Sequence, residues 1–180
     1  MPETGPSELL LAEGSLGHMP AYGGVHLSML ALIVAATVAA VAWVRRTDPL
    51  QMGRVLRAVG WLLLVNSIFW TLWGFMPWAW NLEESLPLHY SDALRFLLPL
   101  VLITQARWAI AVTYFWGLTL NLQSVLTPDL NYFVWVPLEF VQYWLAHGTG
   151  VLVPVVLIWG LGYRPTWRGY GMAYAATLGW

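Results

Sequence analysis

The chain contains no cysteine and no lysine, and only 9% of its 180 residues are charged. Without cysteine there is no disulfide framework, no thiolate metal site and no cysteine nucleophile. Charge this scarce falls far below the quarter or so usual for a soluble domain. The net charge is −1, so bulk charge names no partner, and nucleic acid is not expected. What fills the chain instead is apolar: 59% hydrophobic residues, with a mean hydropathy of +0.63. This composition predicts an all-α, polytopic transmembrane helical bundle.

A helix needs ~20 mostly apolar residues to span the hydrocarbon. Runs that qualify cover 26–44, 58–80, about 87–104, 108–126 and about 138–161. A sixth run, "GMAYAATLGW", is ten residues long and reads as an incomplete helix, the end of a truncated chain. About six spans are therefore expected, forming one bundle domain over 26–180. Residues 1–25 hold Glu3, Glu8 and Glu13 with no cation, and read as an acidic arm with one helical turn around "SELLLAEG". That arm has no basic segment, so it is not a signal peptide. In "YFVWVPLEF", Pro137 disfavours a helical residue before it, which suggests a short interfacial segment there.

All eight cations are arginine. Arg45, Arg46, Arg54 and Arg57 lie between the first two runs, Arg107 between the third and fourth, and Arg164 and Arg168 after the fifth. The acids of the arm, with Glu83, Glu84 and Asp129, fall in the other loops. The excess of arginine marks the cytoplasmic side. The arm is then extracytoplasmic and the setting an inner (plasma) membrane. Trp43, Trp70, Trp78, Trp80, Trp108 and Trp167 sit near run ends, as interfacial belts require.

With that topology the polar residues of the spans gather toward the outer face. His26 opens the first run. His89, Ser91 and Asp92 open the third, Gln123 and Asp129 close the fourth, and Glu139 and His147 belong to the fifth. His147 lies ~14 Å deep at 1.5 Å per residue. Arg95 sits deeper than His89, near the middle. A charge at the membrane centre costs ~2.5–3.5 kcal/mol and normally faces the bundle interior with a partner. Asp92 and Arg95, one turn apart, can pair. His89 lies ~60° from Asp92 around the helix, whereas Ser91 projects ~160° from His89 and ~40° from Arg95. Ser91 and His89 therefore cannot be a nucleophile and its base on one helix. A base for Ser91 must come from another span, and His147 is the candidate. A structural ion pair at Asp92–Arg95 and a helix-packing role for His147 with "GTG" are the plainer alternatives.

Three segments in order, "LPLHYSD", "LTPDL" some 40 residues on, and "HG" within an apolar run, resemble the YwaF-type family of bacterial integral membrane proteins. Its eukaryotic relative is transmembrane protein 164. The resemblance covers roughly 26–180, and members of the family usually continue through a further span. It implies an acyltransferase, or acyl hydrolase, acting on phospholipids, with no cofactor. By motif, Ser91 stands where the relative has a cysteine and His147 at the "HG" histidine, while His89 and Asp92 match the motif's own pair. These four are the implied catalytic set; Arg95, Gln123, Asp129 and His26 are candidates for substrate binding. Ser91 is a departure: an alcohol needs an adjacent base and an oxyanion hole where a thiolate needs less help. Membrane lipids are the expected partners, with assembly into a homo-oligomer or larger membrane complex as a further expectation. Two other readings compete. One is a non-catalytic pocket or transport site whose histidines titrate near pH ~6.5. The other is an accessory subunit of a membrane complex. A metal site from His26, His89, His147 and Asp129 is a weaker reading, because no tight ligand spacing such as HExxH is present.

Overall fold

The computed structural model describes residues 15–86 and 89–179. The turn expected around residues 7–14, and the start of the third run at Pro87, lie outside them. Helix α1 spans Gly24–Val44, α2 Pro49–Gly74, α3 Leu82–Ser85, α4 Tyr90–Thr104, α5 Arg107–Leu118, α6 Leu120–Leu126, α7 Val136–Val155 and α8 Trp167–Gly179. A π-helical turn, Val156–Gly160, extends α7.

Four stretches are long and apolar enough to cross a membrane: Gly24–Val44, Pro49–Gly74, Arg107–Leu126 and Val136–Gly160. Of the about six spans expected, four among the described residues meet that length and composition. Helices α4 and α8 have 15 and 13 residues. At 1.5 Å per residue, the 15 residues of α4 are shorter than the ~30 Å of hydrocarbon. The chain is still a multi-pass helical membrane protein.

Two boundaries depart from the reading of the sequence for local reasons. Helix α2 starts nine residues early because "TDP" is a start signal. The Asp48 carboxylate accepts from the amides of Leu50 at 2.9 Å and Gln51 at 3.2 Å, and Pro49 fills a position whose N–H would have no helical acceptor. Arg54 and Arg57 therefore belong to the first turns of α2. At α7, Pro137 does not hold the helix off. It lies within the first turn, which tolerates proline, and Trp135 before the helix is extended. The segment ahead contributes β2, Asn131–Tyr132, which pairs antiparallel with β1, Gly17–His18, of the arm.

The ends of the bundle differ. At one, Arg45 Nε donates to the Trp159 carbonyl at 2.8 Å, and Tyr163 lies 3.4 Å from Gln105 Oε1. This gathers the three arginine-bearing connections. The apolar core between the ends is built on Leu98, Val101, Trp116 and Leu157. Helices α2 and α4 also share a polar tie, the Ser67 hydroxyl donating to the Arg95 carbonyl at 3.0 Å.

Helices α5 and α7 approach through glycine. A Cβ at Gly117 would overlap the Gly150 carbonyl and come within 2.9 Å of Pro154 Cγ. Gly117→Ala is expected to lower stability by about 1–3 kcal/mol, the usual range for overpacking. Thermal unfolding in detergent checks this; an unchanged midpoint would mean that the helices can separate freely.

Candidate functional site

A cavity of about 820 Å³ lies at the end of the bundle away from the arginine loops. The end of α2, the start of α4, α6 and the first half of α7 surround it. His89, Ser91, Asp92, Arg95, Gln123, Asp129, Glu139 and His147 all line it. The one expected binding residue it leaves out is His26.

Helix α4 brings three of these to the wall. Ser91 and Asp92 fall in its first turn, where amides lack helical acceptors. Asp92 accepts from the His89 amide at 3.2 Å and pairs with Arg95 at 3.2 Å between Oδ1 and Nη2. Both side chains are largely buried, at 11% and 17% exposure, so the pair is the main charge neutralisation on this wall. The His89 ring is mostly exposed, with Nδ1 3.6 Å from the same carboxylate. Among the described residues the Ser91 hydroxyl makes no hydrogen bond, to His147 or to any other group.

Helices α5 and α6 are two helices because Thr119, at φ −119° and ψ −76°, breaks the run expected over 108–126. The break turns Asn121 inward. Its Oδ1 lies 2.8 Å from His147 Nδ1, and its Nδ2 donates to the His147 carbonyl at 2.9 Å. His147 Nε2 carries no hydrogen bond among the described residues. Tyr143 packs on the imidazole with ring centroids 4.4 Å apart, and its hydroxyl is held by the Ser124 carbonyl at 2.6 Å. Exposed Gln123 bonds to Thr127, and exposed Asp129 accepts from Asn131 Nδ2 at 3.1 Å.

Glu139 is buried and saturated. Its carboxylate accepts from the amides of Phe133 at 2.7 Å, Val134 at 2.8 Å and Trp135 at 3.1 Å. It therefore ties the β2–α7 turn to the start of α7, where negative charge is favoured by the helix dipole. Deeper in, Asn66 on α2 and Gln142 on α7 exchange two hydrogen bonds, at 3.0 and 2.9 Å.

His26 has a different job. It is fully buried, accepts from the Tyr22 amide through Nδ1 at 2.8 Å, and donates through Nε2 to the Val125 carbonyl at 2.9 Å. Both nitrogens are engaged, so it pins α1 to α6 and is not free to bind substrate. The weaker metal reading loses a ligand with it, and among the described residues no group of three His, Asp or Glu could hold a metal ion.

Asn121 and Gln142 escaped the sequence reading, since an uncharged amide in an apolar run has no spacing signal. The order of motifs carried more. The TMEM164 family matches residues 21–180. The chain belongs to the TMEM164 family. No curated protein and no solved structure matches it. The family resemblance of "LPLHYSD", "LTPDL" and "HG" is thereby borne out. In this TMEM164-family protein all three segments meet at one cavity: the first supplies His89, Ser91 and Asp92, the second Thr127 and Asp129, and the third His147.

Proposed function

We propose that this TMEM164-family protein is a lipid acyl-transfer enzyme, an acyltransferase or acyl hydrolase, with Ser91 as nucleophile and His147 as general base. The observation that carries the reading is the held imidazole: His147 is bonded through Nδ1 and lines the same cavity as the Ser91 hydroxyl, which has no hydrogen-bond partner among the described residues. A nucleophile with a base oriented by a third group is the general pattern of covalent acyl transfer.

In the reaction, Ser91 Oγ attacks the ester carbonyl of a phospholipid and its proton passes to His147 Nε2. The ester C–O bond breaks, the departing lysolipid alkoxide takes that proton, and the acyl chain stays on Ser91. A hydroxyl of a second lipid, or water, then reverses the steps and frees Ser91. The Asp92 amide is already taken by the His89 carbonyl at 3.0 Å, so the amide of Ser91 itself is the proposed donor where the oxyanion forms. Arg95 is the cation for a lipid phosphate. Gln123 and Asp129 stand on the rim, and His89 and Asp92 set the start of α4. A cavity of this size suits a lipid headgroup and its ester region, within the ~300–1,000 Å³ common to ligand sites. The arginine-rich end is assigned to the cytoplasm of a bacterial plasma membrane, so the cavity opens outward and lipid enters between helices.

Ser91 and His147 are not hydrogen-bonded to each other, which favours a second reading: a non-catalytic lipid-binding pocket, in a transport protein or an accessory subunit. Apo catalytic contacts often tighten only with substrate. A fluorophosphonate lipid probe separates the readings on the full chain in detergent. Labelling of wild type that is lost in Ser91→Ala and His147→Ala is the expected result. No labelling of folded wild-type protein would reject the serine enzyme and leave the binding pocket.

A further inference from the structure

The amide of Asn121 can sit between α6 and α7 in one orientation only. The His147 carbonyl only accepts, so the Asn121 NH₂ must face it, at 2.9 Å. Oδ1 is then left facing His147 Nδ1 at 2.8 Å. An amide oxygen only accepts, so Nδ1 must carry the proton. In a neutral imidazole the other nitrogen, Nε2, is then the one with the lone pair. One side chain thus reads both the backbone and the ring of the same residue.

The surroundings are shaped for this contact. The Thr119 break sets Asn121 as the second residue of α6. Gly150 leaves room for it: a Cβ there would fall within 2.9 Å of all three atoms of the Asn121 amide. Asn121 is buried, and the Tyr143 ring closes the contact from α7. A simple tie between two helices could use either end of the amide; this one has its direction fixed.

We propose that Asn121 is a positioning residue that holds His147 in the Nδ1–H tautomer and so presents Nε2 as the proton acceptor. The inference rests on the acyl-transfer reading of the same site, and extends it to a Ser91–His147–Asn121 set in which Asn121 never touches the reacting atoms.

The test has two readouts on the full chain. The first is ¹⁵N NMR of histidine-labelled protein at about pH 8, above the ordinary imidazole pKa of ~6.5. The His147 signals are identified by their loss in His147→Gln. Wild type is expected as the Nδ1–H tautomer, and Asn121→Leu as a population shifted toward Nε2–H. The second readout is the rate of fluorophosphonate labelling at Ser91. Asn121→Leu is expected to slow it by between roughly 10-fold and 10⁴-fold, the span seen when a histidine loses its orienting partner. Asn121→Asp keeps an acceptor toward Nδ1 but loses the donor to the His147 carbonyl, and is expected to retain the wild-type tautomer and to label faster than Asn121→Leu. Should Asn121→Leu fail to fold, the wild-type tautomer and Asn121→Asp still decide. Nε2–H in labelled wild type, or full labelling rate in folded Asn121→Leu, overturns the inference and leaves the serine enzyme standing. No labelling of folded wild type overturns the enzyme, and with it the role of the tautomer.

Discussion

Glu139→Ala is expected to unfold far more easily than wild type, by on the order of 3–5 kcal/mol. Three backbone amides, of Phe133, Val134 and Trp135, converge on this one buried carboxylate. A hydrogen bond to a charged group contributes ~1.5–3 kcal/mol, and a buried amide left without a partner costs a further ~1–3 kcal/mol. These contributions are not additive, so the sum is capped well below three full bonds. Glu139→Gln keeps one acceptor oxygen and is expected to lose about half as much. Thermal unfolding of the detergent-solubilised protein, followed by circular dichroism, measures both. Equal midpoints for Glu139→Ala and wild type would show that the amides find water or other acceptors at the cavity wall.

Arg95→Gln is expected to cost about 3–5 kcal/mol, because it strands the Asp92 carboxylate at a largely buried site. The double change Asp92→Asn with Arg95→Gln is expected to recover much of that loss, since no uncompensated charge remains. A double-mutant cycle reports the difference as a coupling energy. Single costs that simply add would mean that each group is satisfied independently, by water in the cavity or by backbone. The cycle also isolates the second task of Asp92, accepting from the His89 amide at 3.2 Å, which an asparagine can continue.

Much of the architecture was legible because membranes impose few rules and this chain obeys them. The long apolar runs became helices, and the arginine loops gathered at one end. Where the reading failed, the causes were local. Asp48 and Pro49 start a helix inside what looked like a basic loop, since a cap outweighs polarity. The Thr119 break is silent, because the residues on both sides are as apolar as an unbroken span. Pro137 was read as a barrier, although in the first turn of a helix it costs nothing.

The site was legible where the motifs and the charged residues lay, and illegible at the amides of Asn121 and Gln142. Ser91, Asp92, Arg95 and His147 announced themselves against an apolar background. Asn121 did not, yet it bonds both the ring and the carbonyl of His147. Glu139 drew attention as a carboxylate in a span, but its partners are local amides only four to six residues away. His26 shows the opposite error: a lone histidine at the mouth of a helix turned out to be a fully bonded tie.

That tie bears on the order in which the protein is built. His26 and Val125 are 99 residues apart, and β1 can meet β2 only when the α6–α7 connection exists. Closing so long a loop is not itself very costly, since the entropy grows only with the logarithm of length. It does have to wait. During synthesis α1 is made well before its acceptor on α6, and until then the His26 Nε2 and the strand β1 are without those partners. The clasp of arm and loop is therefore a late event, and the half of the bundle that encloses the cavity is finished only when its far-apart ends have joined.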